Sequence, residues 1–234
     1  MGKFKYQIII PNWNQSTLCV NCLKSIKQYS KNYEIIFIDN GSKKDEFDII
    51  FETLKTMPYK LVQLEENLGF IKAVNIGLSI ANANYIVIMN NDTEAVENWL
   101  DKLEKPLKEN ENCVLSGSLT TTPESWQGAY KPTNQNDYVI LPNDRMVAFF
   151  CTMFKKSVFS NVGLLDENIS KYGFGDDDDY CKRVHNKGYR ISLVQNLRIP
   201  HYHRSTFKQL FSETEIKEMQ ETALNKYRAK YGLR

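Results

Sequence analysis

Four short apolar runs separated by amphipathic segments constrain this chain more than any other feature. Tyr6 to Ile10, Glu34 to Ile38, Lys60 to Leu64 and Tyr85 to Met89 have strand length and read as strands. Between them the period changes to that of a helix. Leu18, Cys22, Ile26 and Tyr29 follow Ser16 or Thr17, either of which can cap; then come Phe47, Ile50, Phe51 and Leu54, then Phe70 to Ala81. Trp99, Leu100, Leu103 and Leu107 mark a helix after the fourth strand. Strands alternating with helices of this length predict an α/β fold with a mainly parallel sheet covered on both faces. Ligands bind such sheets beyond the carboxyl ends of the strands. The polar loops Pro11-Asn-Trp-Asn14, Asp39-Asn-Gly-Ser42, Glu66-Asn-Leu-Gly69 and Asn90-Asn-Asp92 all fall on that edge and outline one site.

Regularity weakens after Cys113. The stretch from Thr120 to Asp144 is rich in Thr, Pro, Asn and Gln and reads as a long loop. Met146 to Phe154 predicts a strand, Lys156 to Asn161 a short helix and Arg190 to Val194 another strand. Beyond Ser205, the residues Phe207, Leu210, Phe211, Ile216, Met219, Ala223 and Tyr227 predict one or two amphipathic helices docked on the core. The basic end, Lys226, Arg228, Lys230 and Arg234, also permits peripheral contact with an anionic membrane.

The 30 Lys and Arg nearly balance the 28 Asp and Glu, which leaves no global electrostatic case for a nucleic-acid partner. No apolar run approaches the roughly 18 residues needed to span a bilayer, and the apolar start is too short for a signal peptide. A soluble, cytoplasmic protein is the expectation. Five scattered cysteines make no disulfide framework. Cys19 and Cys22, inside an apparent helix, read as core packing.

The run Asp176-Asp177-Asp178-Asp179 is the most unusual local feature. Adjacent carboxylates repel one another, so they need solvent, a cation or a proton. A solvated stretch would have polar neighbours, whereas these follow Tyr172-Gly-Phe-Gly175 and lead into Tyr180, Cys181, Val184 and His185. That context predicts a helix starting in a cleft, where the macrodipole favours acidic residues.

Taken together, Ile8-Ile-Ile-Pro-Asn-Trp-Asn14, Ile36-Phe-Ile-Asp-Asn-Gly-Ser42, Glu66-Asn-Leu-Gly-Phe70 with Asn75-Ile-Gly77, Ile88-Met-Asn-Asn-Asp-Thr93, and Gly163-Leu-Leu-Asp-Glu167 with Gly175 to Arg183 carry a resemblance. They resemble, in order and spacing, the blocks of the inverting nucleotide-sugar glycosyltransferases of family two, which have the Rossmann-like GT-A fold. The resemblance covers about residues 6 to 206. It implies a glycosyltransferase domain over 1–204, with a nucleotide-binding half to about 118 and an acceptor-binding half to 204, followed by a helical tail over 205–234.

The resemblance also implies roles. Asp92 would bind a divalent cation, Mn or Mg, that neutralises the diphosphate leaving group. The family usually has Asp-x-Asp here; Asn90-Asn91-Asp92 is similar to rhamnosyltransferase-like members, and Asn90 and Asn91 also suit a plain turn. Asp39 is similar to the residue that accepts from a pyrimidine ring N–H, which suits a UDP- or dTDP-sugar; it can equally cap its own turn. Pro11, Asn12, Trp13 and Asn14 would line the same pocket, with Trp13 stacking or filling core. Asn67, Gly69 and Lys72 fall to the ribose and phosphates, although a helical lysine is commonly just solvated. Asp177 matches the general base that inversion requires, with Asp176 orienting the acceptor and Asp179 fixing the helix start. Crowding should raise the pKa of at least one carboxylate. Of Pro200-His-Tyr-His-Arg-Ser205, His201 fits a metal or diphosphate contact better than His203, while His185 reads as packed.

Processive synthases of this family carry membrane spans and Gln-x-x-Arg-Trp; the nearest match here, Gln195-Asn-Leu-Arg-Ile199, lacks the tryptophan. Transfer of a single sugar to a glycan, lipid-linked or small-molecule acceptor is therefore expected. Trp126 and Tyr130 could stack on that acceptor or anchor their loop. Two other readings are a sugar-nucleotide or glycan-binding protein that has lost turnover, and a nucleotidyltransferase, whose Gly-rich phosphate loop Pro11 to Asn14 does not resemble.

Overall fold

The computed structural model describes residues 3–132, 135–202 and 211–233. The four apolar runs are strands β1 (Tyr6–Asn12), β2 (Tyr33–Asn40), β3 (Tyr59–Leu64) and β4 (Tyr85–Met89). Helices α1 (Ser16–Tyr29), α2 (Lys44–Leu54), α3 (Phe70–Ile80) and α4 (Trp99–Glu109) alternate with them. The strands lie in the order β3-β2-β1-β4, each parallel to its neighbour.

Successive strand residues face opposite sides of a sheet, and β1 and β2 are apolar on both. Ile8, Ile10, Ile35 and Phe37 join a core with Cys22 and Leu23 of α1, Ile50 of α2 and Trp99 of α4. Ile9, Ile36 and Ile38 join a second core with Val74 and Leu78 of α3. Each fully buried isoleucine contributes about 1.5–3 kcal/mol by leaving water, so the continuous apolar runs tie both helical layers to one sheet. Cys19 and Cys22 are buried free thiols in the α1 face. Neither Ser16 nor Thr17 caps α1. Gln15 holds the cap position in the left-handed region at φ 61°, while the Ser16 amide donates to the Glu46 carboxylate at 2.7 Å.

Beyond Cys113 the chain is more regular than its composition suggests. Cys113–Thr120 is a wholly buried strand, β5, followed by α5 (Trp126–Ala129) and β6 (Tyr138–Ile140). Ser116, Gly117 and Ser118 obscure β5 in the sequence, yet Gly117 is needed there because a Cβ would lie 2.7 Å from the Val147 side chain. The expected strand from Met146 begins only at Cys151, giving β7 (Cys151–Lys155); Ala148, Phe149 and Phe150 wall the site instead. Then come α6 (Ser157–Val162), α7 (Asp176–Asn186) and β8 (Arg190–Ile199). Strand β7 enters antiparallel between β4 and β5, β8 pairs parallel with β5, and β6 closes the edge antiparallel, so the eight-stranded sheet is parallel in its first half and mixed in its second.

A C-terminal helix, Glu213–Tyr231, starts at a reciprocal cap between Ser212 and Glu215 and buries Ile216 and Ala223. His203, Phe207, Leu210 and Arg234 lie outside the described residues. Among those described, no helix is long and apolar enough to cross a membrane.

Candidate active site

Parallel pairing brings the four polar loops to one edge. Asn12 and Asp39 are register partners at the ends of β1 and β2. The Asn12 carboxamide donates to Ser42 Oγ at 3.3 Å and accepts from Asn91 Nδ2 at 2.7 Å, joining the first, second and fourth loops. Asn14, left-handed at φ 52°, accepts from the Lys43 N–H at 2.8 Å. Asn40, which sequence reasoning passed over as a site residue, donates to Asn67 Oδ1 and to the Gly69 carbonyl, both at 3.1 Å, and accepts from the Leu68 N–H at 2.9 Å. A single buried amide thus fastens the third loop to the second. At Gly69, φ is 91° and a Cβ would lie 2.0 Å from the Lys171 carbonyl oxygen, so only glycine lets this loop pass the segment leading to α7.

Pro11, Trp13, Asn67, Gly69, Asn90 and Asn91 contribute to a cavity of about 110 Å³. Of the expected donor residues, Asn14, Asp39 and Lys72 line neither this cavity nor the next, and Lys72 is exposed on α3. Asp39 is buried, with Oδ1 lacking a hydrogen-bond partner among the described residues. Burial pushes its carboxyl above the usual range, against the opposing pull of its Ser42 hydrogen bond. It is an acceptor in want of a donor.

A larger cavity of about 290 Å³ adjoins the first and shares Phe70, Asn90 and Tyr172 with it. Asp92, Trp126, Asp176, Asp177 and His201 all line it. His201 arrives from beyond β8 through a β-bridge with Thr93, reinforced by the Tyr202 N–H on the Asp92 carbonyl at 2.9 Å. Its Nε2 then lies 3.3 Å from Asp92 Oδ1 and 3.4 Å from Asn90 Nδ2, and its ring stacks on Phe150 at 5.0 Å. Asn90 Oδ1 is buried without a partner among the described residues. A carboxylate, an imidazole and a spare amide oxygen suit a Mg- or Mn-type cation. No cluster of three or more His, Cys, Asp or Glu forms a cage among the described residues, so a cation held here would take its other ligands from a bound molecule or water.

In the wall of the same cavity, Gly175 caps α7 in the left-handed region at φ 73°, presenting Asp176 and Asp177 in the first turn. Burial, then repulsion from Asp178 and Asp179, pushes the Asp176 carboxyl up to about 7. Asp177 is raised well above the usual range by burial and by the charges of Asp176 and Asp178. Asp179 behaves differently. It is fully buried, pairs with Arg183 at 2.8 Å and Lys230 at 2.6 Å, and accepts from the Tyr231 hydroxyl at 2.8 Å. Its work is therefore to tie the C-terminal helix to α7. Trp126 is held by its indole N–H on Met146 Sδ at 3.3 Å and by an edge contact with Tyr130. His185 is packed, with Nε2 at 3.1 Å from the Arg145 carbonyl.

Residues 7–163 match the family model described as Glycosyl transferase family 2. The chain belongs to this family. Curated family relatives include the glycosyltransferase GlyG of Streptococcus pneumoniae, 27% identical over 57% of this chain and 45% of GlyG. Another is the poly-beta-1,6-N-acetyl-D-glucosamine synthase of Staphylococcus epidermidis, 27% identical over 67% of this chain and 41% of the synthase. The chain thus spans less than half the length of either relative. Among solved structures, S. aureus TarS in complex with UDP-GlcNAc superposes with a TM-score of 0.71 at 13% identity, covering 89% of this chain and 62% of that one. The Pyrobaculum calidifontis mannosyltransferase PcManGT in complex with GDP-Man and Mn2+ gives 0.68 at 15% identity, over 86% and 57%. These likenesses show the GT-A glycosyltransferase fold.

Proposed function

We propose that this family 2 glycosyltransferase moves one hexose or deoxyhexose from a UDP- or dTDP-sugar to a carbohydrate, lipid-linked or small-molecule hydroxyl with inversion. The observation that carries the reading is the pair of adjoining cavities, with Asp92, His201, Asp176 and Asp177 together in the wall of the larger. The smaller cavity, with Trp13, Asn67 and Gly69 in its wall, takes the nucleoside end. Asp39, beside the wall residues Asn12 and Asn40, would offer its spare oxygen to the pyrimidine N–H. Residues 1–118 thus serve the donor and 119–204 the acceptor.

Asp92 and His201, helped by the Asn90 oxygen, would hold Mg or Mn, which neutralises charge on a diphosphate leaving group when bound. Asp177 accepts the proton of the acceptor hydroxyl as its oxygen bonds to the anomeric carbon. The bond from that carbon to the diphosphate oxygen breaks on the opposite side, and its electron pair leaves with the nucleotide. Asp176 and Trp126 orient the acceptor. A raised pKa strengthens Asp177 as a base, provided the pH is high enough to ionise it.

In Asp177→Asn, sugar transfer should fall about 10²–10⁴-fold while nucleotide binding by calorimetry stays within a few-fold. Undiminished transfer would remove Asp177 from the role of base.

A further inference from the structure

The inward face of the C-terminal helix runs through Ile216, Gln220, Ala223 and Tyr227 at helical spacing, outside the stretch matched by the family model. Ile216 and Ala223 are buried, and Ala223 sits over Gly175, whose Cβ position is 3.8 Å from the Ala223 Cβ. Residues three apart share a helix face. Gln220 is therefore carried over the same α7 turn, where it lines the larger cavity together with Asp176, Asp177 and Trp126. No hydrogen bond of the described residues uses its carboxamide. An amide on an otherwise packing face, at the level of the cavity, has its donor and acceptor available to a ligand. Lys230 on Asp179 and Asp166, at 2.6 and 2.7 Å, and Lys226 on the Asn168 carbonyl, at 3.0 Å, hold the helix in place.

We infer that Gln220 is an acceptor-contacting residue, its carboxamide bonding adjacent hydroxyls of a saccharide placed between it and Trp126. This rests on the transferase reading. The C-terminal helix is then one wall of the acceptor site, and the family-matched segment alone has an incomplete one.

The test compares wild type, Gln220→Ala, Gln220→Met and the outward-facing control Glu221→Ala. UDP-glucose, UDP-N-acetylglucosamine, dTDP-glucose and dTDP-rhamnose serve as donors, and methyl glycosides of glucose, galactose and N-acetylglucosamine as acceptors. Both Gln220 variants should raise acceptor KM about fivefold, the worth of a neutral hydrogen bond, with donor KM within about twofold and an unchanged melting temperature; Glu221→Ala should match wild type. An unchanged acceptor KM in both variants, or an equal rise in donor KM, would overturn the inference. Donor hydrolysis without transfer to any glycoside would overturn the saccharide assignment. A wild type that neither hydrolyses nor transfers any of these donors would instead overturn the transferase reading beneath it.

Discussion

Asp176 and Asp177 illustrate how a site can oppose stability. In an unfolded chain an aspartate titrates near 3.9, whereas folded Asp176 is held up to about 7, chiefly by burial. Below about pH 4 it is protonated in both states and costs nothing. As pH rises towards 7 the unfolded chain ionises first, so folding loses stability, and the deficit is constant above that. Asp176→Asn should therefore raise stability by about 1–3 kcal/mol at pH 7.5 and by little at pH 4, measured by denaturant melts at both. Asp166 has the opposite sign: its Lys230 hydrogen bond lowers it to about 2, so its contribution is present above the unfolded value and lost as pH falls towards 2. In the proposed mechanism the same electrostatics would set the rate. Transfer should rise with pH along a limb displaced above the usual carboxylate range. Asp176→Asn should move that limb to lower pH, because removing a neighbouring charge eases ionisation of Asp177; a limb left in place would mean that another group titrates.

At the scale of elements, the C-terminal helix is bound to α7 through the fully buried Asp179, which Arg183, Lys230 and Tyr231 share. Removing one partner of a buried ion pair leaves charge uncompensated. Lys230→Met should cost about 1–3 kcal/mol, since Arg183 and Tyr231 remain and Lys230 is about one-third exposed. A chemical-denaturation midpoint equal to wild type would show that Lys230 adds nothing to the hold of Ile216, Ala223 and Tyr231 on the helix. The helix itself was legible from its spacing. The identity of its anchor was not, since Asp179 is one of four identical residues and only its position three places into α7 turns it inward.

For the whole molecule, the two cavities meet where the parallel half of the sheet gives way to the mixed half, and donor binding should couple to cation binding there. UDP or dTDP at about 100 times Kd should stabilise by about 2.7 kcal/mol, visible as a melting-temperature rise of several degrees that grows with Mn. A rise limited to GDP would overturn the pyrimidine assignment, and no metal dependence would count against Asp92 and His201 as ligands. EDTA should stop transfer, and added Mn or Mg should restore it.

The early strands, the helices between them and the polar loops at their ends follow from the sequence alone, because local periodicity and the geometry of parallel pairing leave few alternatives. The same holds for the start of α7 at Asp176, which its glycine, its acidic first turn and the apolar residues after it already mark. Other features needed the folded chain. Strand β5 hides behind Ser116, Gly117 and Ser118; Gly117 answers to Val147, about thirty residues away in sequence, and Ser118 donates to the Cys151 carbonyl. Asn40 as a loop fastener, Lys72 outside both cavities and Gln220 inside one depend on which side of a turn or helix meets a distant segment. His201 reaches Asp92 only because a single β-bridge to Thr93 brings two remote stretches together. Periodicity is a property of neighbours in sequence, whereas these contacts are properties of neighbours in space, and only packing decides them.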